Sequence, residues 1–429
     1  MSETALYARL TGAAEPPAEA EARNGLRHVA AQTLNKLADG LLDPKLVLSW
    51  LLGAMGAPGA LIGALVPVRE AGALLPQLAL ARVLKRLPGR RRFWAAGAAL
   101  QGLAAVAIAV AALTLEGTIG GLAVVLALAV LSVARAACSL SHKDAVADSV
   151  PKTRRGAVTG AGTSIAALAV FAFGAALATG MLPLSVATVA GAAMLAGLAW
   201  LAAAAVFLTL DETARETERQ AGEGLRALLT PLAEDAALRR FIAVRGCLTV
   251  TALAPPFLVM MEQGRVGAAE PAGMASLGPL VLASAAASIS SGYLWGRISD
   301  RSSRWALIAS GMLSAVVLGS AAALGWMTGG LGGLSGAVVL MFLAQLAYGG
   351  VRQGRKVHLT DMATRDTRAG HTALANTIIG IVLLAGGLLG LLADVAGPAA
   401  VLALSAAIAA LGAYLAFGLD EVQREAPAA

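Results

Sequence analysis

The sequence predicts an all-α membrane protein of twelve transmembrane helices, built as two pseudo-symmetric six-helix bundles. Three observations predict it. The chain is 58% hydrophobic and only 14% charged, with a mean hydropathy of +0.74, whereas a water-soluble fold carries nearer a quarter charged residues. Apolar segments of about 20 residues recur along its whole length, enough for each to cross a hydrocarbon core ~30 Å thick. Charged stretches also repeat at one offset: shifted by 213 residues, Lys143 falls on Lys356, Asp148 on Asp361 and Arg155 on Arg368, and at 214 Arg90 falls on Arg304. That offset exceeds solenoid periods, so the repeated unit is half a protein.

The elements follow in order. Residues 1–27 carry Glu, Pro and Arg and no apolar h-region, so they are expected to be a poorly ordered cytoplasmic tail and not a cleavable signal. The N-terminal bundle, residues 28–210, is expected to hold helices over 29–53, 58–82, 92–115, 118–141, 156–180 and 183–209. Residues 211–240 are too charged to span and read as a cytoplasmic linker. The C-terminal bundle, residues 241–418, is expected to hold helices over 241–262, 273–296, 305–328, 331–353, 369–393 and 397–418, before a polar cytoplasmic tail at 419–429. Pro44 is expected to interrupt the first helix, and Pro67 and Pro76 the second. Gly156, Gly160 and Gly162 are expected to mark a close helix contact.

Orientation comes from Lys and Arg. Every second break is basic: Arg82 to Arg92, then Lys143 to Arg155, Arg297 to Arg304, and Arg352 to Arg368, while the alternate breaks offer only Arg265. This asymmetry predicts that both termini and the linker are cytoplasmic. The same distribution argues against nucleic acid as a partner, despite a net charge of +7, because the charges form no continuous face. Cys138 and Cys247 lie inside apolar runs, and the four histidines are scattered, so neither a disulfide framework nor a metal site is expected. No phosphate-binding glycine loop occurs, so no cofactor is expected.

Ionisable residues at membrane depth cost several kcal/mol unless paired or hydrated, which makes them functional candidates. At about 1.5 Å per residue from the nearest basic anchor, Lys36, Asp39, Arg69, Glu70 and Arg135 all fall near the midplane. Lys36, Asp39 and Asp43 share one helical stripe. Arg69 and Glu70 are neighbours pointing about 100° apart, so only one of them is expected to face a cavity. Lys45 is expected near the outer face, where its side chain can snorkel. Two readings are open: a buried network tying helices together, or a cavity in which an acid takes up a proton and the bases meet substrate. The second half offers mostly neutral candidates, Gln345, Tyr348, Asn376 and Thr377, with Arg245 lower. The excess of bases over acids favours an anionic or zwitterionic small-molecule substrate.

The stretch GRISDRSSR, Gly296–Arg304, resembles the loop signature of the major facilitator superfamily, Gly-x-x-x-Asp-Arg-x-x-Arg. Asp148–Gly156 and Asp361–Ala369 resemble that family's loops between helices four and five and between ten and eleven. The resemblance implies a cytoplasmic latch carried by Asp148, Arg155, Gly296, Asp300, Arg301, Arg304, Asp361 and Arg368. The first-half counterpart keeps Gly89, Arg90 and Arg91, but Arg82 stands where Gly is expected and Arg86 where Asp is, so its acidic partner is missing. Arg135 matches an arginine of the fourth helix in proton-coupled members, and LLPQL, VREAG and RRG resemble a subgroup of bacterial permeases. What the resemblance implies is a monomeric bacterial inner-membrane transporter, not an enzyme. It would move a small solute by alternating access, coupled to protons through Asp39 or Glu70. The alternative is a non-transporting membrane sensor or accessory protein with the same fold.

Overall fold

A computed structural model of the chain describes residues 2–12, 17–85, 89–151, 153–211, 232–266, 277–363 and 367–423. Most of the expected linker, with Lys152 and Arg86, lies outside these residues. In the first half the helices are α1 (Glu3–Thr11), α2 (Glu19–Leu41), α3 (Val47–Ala54), α4 (Gly59–Leu74), α5 (Gln77–Lys85), α6 (Arg91–Thr114), α7 (Gly117–Ser149), α8 (Arg155–Ala178) and α9 (Val186–Leu208). In the second half they are α10 (Ala236–Leu248), α11 (Val250–Leu253), α12 (Pro255–Val266), α13 (Leu277–Arg301), α14 (Ser303–Thr328), α15 (Gly333–Met362), α16 (Arg368–Gly386) and α17 (Leu388–Ala416). No strand occurs among the described residues.

Local chemistry explains the breaks. Pro44 has no N–H to continue α2, and Asp43 turns the chain there: its Oδ1 accepts from the backbone N–H groups of Lys45 at 2.9 Å and Leu46 at 3.1 Å. Ser49 Oγ donates to the freed Pro44 carbonyl at 2.7 Å. Pro76 separates α4 from α5, but α4 runs through Pro67, contrary to expectation. The seventh apolar stretch is broken before Pro255 into α10, α11 and α12 where one helix was expected. Gly397, at φ 82°, turns the chain within α17 just ahead of Pro398, so α17 is two helices meeting at a corner. The expected disordered tail is also corrected: α1 is helical and α2 begins at Glu19, with Asn24 and His28 buried against the bundle.

Nine helices among the described residues are long and apolar enough to cross a membrane. The shorter α3, α4 and α5 and the more polar α2 fall outside that set, because the midplane charges and prolines sit in them. Leu126 at 60%, Leu103 at 59% and Leu411 at 49% exposure show large apolar side chains turned outward, the reverse of a water-soluble protein. The chain is a multi-pass membrane protein.

The two halves pack alike. In the first, α6 lies against α7 and α9, and α4 against α7; in the second, α14 lies against α15 and α17, and α13 against α15. Close approach depends on absent side chains: a methyl on Gly102 of α6 would lie 2.8 Å from the Gly197 carbonyl of α9. The halves meet along two seams, α4 with α16 and α17, and α8 with α13.

The α8–α13 seam is tight at one end only, whereas the seam of α4 with α16 stays in contact at Gly380 with Leu75 and at Asn376 with Gln77. At the end away from the basic loops, Gly278 abuts Ala178, Gly174 abuts Val281, and Gly63 abuts Gly390. Toward the basic loops the α8 face that buries Gly174 becomes exposed at Ala167, Ser164, Gly160 and Gly156. The matching α13 stripe is exposed at Ser288 and Gly292. Of the three glycines expected in a close contact, only Gly162 makes one, where a methyl would lie 3.1 Å from Gln32 Cβ; Gly156 and Gly160 face open space because α8 and α13 diverge there.

Candidate functional site

A cavity of about 250 Å³ lies between the halves. The first half lines it with Asp39, Asp43, Lys45, Arg69, Glu70 and Arg135, and the second with Ser284, Ser288, Ser291, Gln345, Tyr348 and Arg352. The break at Pro44 is what brings both Asp43 and Lys45 to its wall.

Asp39 is the electrostatic centre. Its Oδ1 accepts from Arg69 Nη2 at 2.6 Å and from Arg135 Nη1, and Lys36 Nζ lies 3.5 Å from Oδ2. Three helices, α2, α4 and α7, are thereby tied to one carboxylate. Removing a charge from water is costly unless it is paired and hydrogen-bonded, and Asp39 meets both conditions. Glu70 differs: it makes no hydrogen bond or ion pair among the described residues.

Several expectations need correction. Arg69 and Glu70 both line the cavity, because the wall curves around α4. Lys45 is not at the outer face: it is 5% exposed, with Nζ 3.2 Å from the centre of the Tyr348 ring. Lys36 reaches the site only through Asp39. Arg245, Asn376 and Thr377 do not line the cavity; Arg245 Nη2 donates to Asn376 Oδ1 at 2.9 Å, and Thr377 Oγ1 donates to its own helix at Ala373. Sequence reasoning missed the serines, although Ser284, Ser288 and Ser291 repeat at helical spacing and were legible as one stripe.

At the basic end, Arg90 pairs with Asp144, Arg154 with Glu21 and Arg304 with Glu421, each within its own half. Arg90 Nε lies 3.2 Å from Asp144 on α7, so an acidic partner does exist where the loop signature lacks one, and Arg91 donates to the Leu210 carbonyl at 2.7 Å. Gly89 leads into this turn. Arg155 Nε caps α7 through the Val150 carbonyl at 2.8 Å, and Asp148 is exposed beside it. In the second half Arg304 lies 3.4 Å from Glu421, and Gln423 donates to Asp361 at 2.9 Å. Gly296 is half-buried, and Asp300 and Arg301 are exposed at the end of α13. Arg368 opens α16; its side chain lies outside the described residues.

Two pseudo-repeated bundles around a polar central cavity find their counterpart in a family model. The model of the Major Facilitator Superfamily matches residues 29–349. The chain belongs to this superfamily. Among solved structures, this superfamily member resembles a POT family transporter in complex with 5-aminolevulinic acid, at 11% identity and a TM-score of 0.70, covering 95% of this chain and 97% of that one. It resembles the nucleoside transporter NupG at 13% identity and a TM-score of 0.66, over 92% and 98% of the two chains. At such identities the likeness is one of fold. No curated protein sequence matches.

Proposed function

We propose that this superfamily member is a secondary active transporter that carries a small polar solute across the membrane by alternating access, coupled to protons. The observation that carries this reading is a charged cavity between two pseudo-repeated halves, with the α8–α13 seam closed at one end and diverging at the other. The bundles at 28–210 and 241–418 are the rocking units, and the basic loops lie in the cytoplasm. The structure then corresponds to a cytoplasm-facing state.

In that state the loop residues Arg155, Arg304 and Asp361 bond within their own halves, and Asp300 and Arg301 face outward. We infer that they meet across the seam when α8 and α13 close. Glu70 is the better proton carrier. Three cations lie against the Asp39 carboxylate, whereas Glu70 faces the cavity with no hydrogen bond or ion pair among the described residues, the charges of Lys45 and Arg355 acting on it only at longer range. Asp39, Arg69 and Arg135 form the frame around it. No enzymatic reaction is proposed.

The test is solute flux in proteoliposomes carrying the purified protein. Uptake should rise with an imposed pH gradient, fall when the gradient is dissipated, and lose that dependence in Glu70→Gln. Flux indifferent to the gradient would remove the proton from the reading, and no flux of any solute would remove transport.

A further inference from the structure

The charges lining the cavity are unequally satisfied, and the difference describes what the cavity lacks. Asp39 is matched by Arg69, Arg135 and Lys36, and Asp43 accepts two backbone N–H groups at the α3 start. Three groups remain. Glu70 has no hydrogen-bond partner, Lys45 Nζ rests on the Tyr348 ring with no hydrogen-bond acceptor, and Arg352 has its guanidinium 5.8 Å from the centre of the same ring.

Lys45 is the most telling of them. It is 95% buried by its 5% exposure, on the short segment that Pro44 turns into the cavity. An ammonium has three donors, and a ring face accommodates one. The others have no acceptor among the described residues. A cation held this far from water is costly without a hydrogen-bonded anion; the Glu70 and Asp43 carboxylates act on Lys45 only across space, and neither is hydrogen-bonded to its Nζ. Arg352 approaches the ring of Tyr348 from α15, so cations from the two halves converge on one aromatic side chain.

Resting on the transport reading above, we propose that the transported solute is a small organic monocarboxylate. Its carboxylate is bound between Lys45 and Arg352 at the face of Tyr348, and its polar substituents bond to the Ser284, Ser288 and Ser291 stripe. Charge count sets the valence. The side chains lining the cavity carry four positive charges, on Lys45, Arg69, Arg135 and Arg352, and three negative ones, on Asp39, Asp43 and Glu70, which leaves one positive charge and suits a carboxylate. A phosphate group carries about −1.5 to −2 and would leave the site negative. The arrangement also requires both halves, since Lys45 comes from the first and Arg352 from the second. A solute that bridges them couples its own binding to how the halves sit.

The experiment uses the full chain purified in detergent and reads melting temperature against ligand concentration at constant ionic strength. The probes are aliphatic two- to six-carbon monocarboxylates with and without hydroxyl groups, their amides, and inorganic phosphate. The expected result is protection by at least one hydroxy-monocarboxylate and none by its amide. Affinity should weaken about tenfold or more in Lys45→Met and in Arg352→Gln, and be kept in Lys45→Arg. Arg352 is exposed, so its variant tests the site even if Lys45→Met fails to fold. Protection by phosphate or the amides alone, protection undiminished in Arg352→Gln, or no protection by any monocarboxylate would each overturn the assignment. Because binding is read without a membrane or a gradient, it stands or falls apart from alternating access and proton coupling.

Discussion

Asp394 offers a direct test of the closed end. Its Oδ1 accepts from the Gly59 N–H at 2.6 Å and its Oδ2 from the Ala60 N–H at 2.8 Å. These are the first donors of α4, which have no partner inside the helix, and Pro58 ahead of them has no side-chain acceptor. A second-half carboxylate thus caps a first-half helix, and its charge meets the positive end of that helix. Losing an N-cap costs about 0.5–2 kcal/mol. Asp394 is exposed, so about 1 kcal/mol is the reasonable figure, close to a fivefold change in the balance between access states. Asp394→Ala should therefore favour opening at this end, with Asp394→Asn between it and the parent, since the amide keeps an acceptor and loses the charge. The assay is labelling of a single cysteine introduced by Ser288→Cys, after Cys138 and Cys247 are replaced by alanine. An impermeant maleimide is added from the side opposite the basic loops. The labelling rate should rise about fivefold in Asp394→Ala. An unchanged rate would refute the reasoning that this cap closes the seam.

Three further outcomes are expected. At Gly63 a methyl would lie 2.5 Å from Gly390 Cα, so Gly63→Val should force the seam apart; overpacking of this kind costs about 1–3 kcal/mol and should lower the melting temperature in detergent. Asp39→Leu strands Arg69, which is 7% exposed, and breaking a buried pair costs about 3–5 kcal/mol; Asp39→Leu with Arg69→Met should recover part of the lost stability, and a double mutant no better than the single would count against the network. Outside the membrane, the hydrogen bond from Arg23, with the charges of Arg27 and Arg91, holds the Asp211 carboxyl below its ordinary value. A lowered carboxylate pKa contributes stability above the unfolded-state value of about 4, lost as pH falls through the lowered one. Hydrogen exchange at the start of α2 should quicken over that acid range, less steeply in high salt, and Asp211→Asn should abolish the dependence.

Much of the candidate site was legible because charge at membrane depth is rare. Asp39, Arg69, Glu70 and Arg135 stood out against apolar surroundings, and all four line one cavity. Depth counting fails where a helix breaks, and that is why Lys45 was misplaced: the Asp43 turn redirects the chain, and a uniform rise per residue carries it outward. Arg245, expected below the midplane candidates of the second half, bonds Asn376, a pairing that position along a helix does not reveal because depth says nothing about azimuth. The Asp144 partner of Arg90 could not be read from a loop signature, because it comes from another helix.

Composition and hydropathy determined by themselves that this chain lives in lipid, and the recurrence of Lys143, Asp148 and Arg155 as Lys356, Asp361 and Arg368 determined that it has two related halves. Both properties are sums over many residues, so no single contact can overturn them. Only the tertiary structure decided which charges share a carboxylate, which remain unmatched, and which end of the seam is closed. Those depend on distances of a few ångströms between residues far apart in the chain, where Coulomb energy and packing change steeply and sequence spacing carries no record of them.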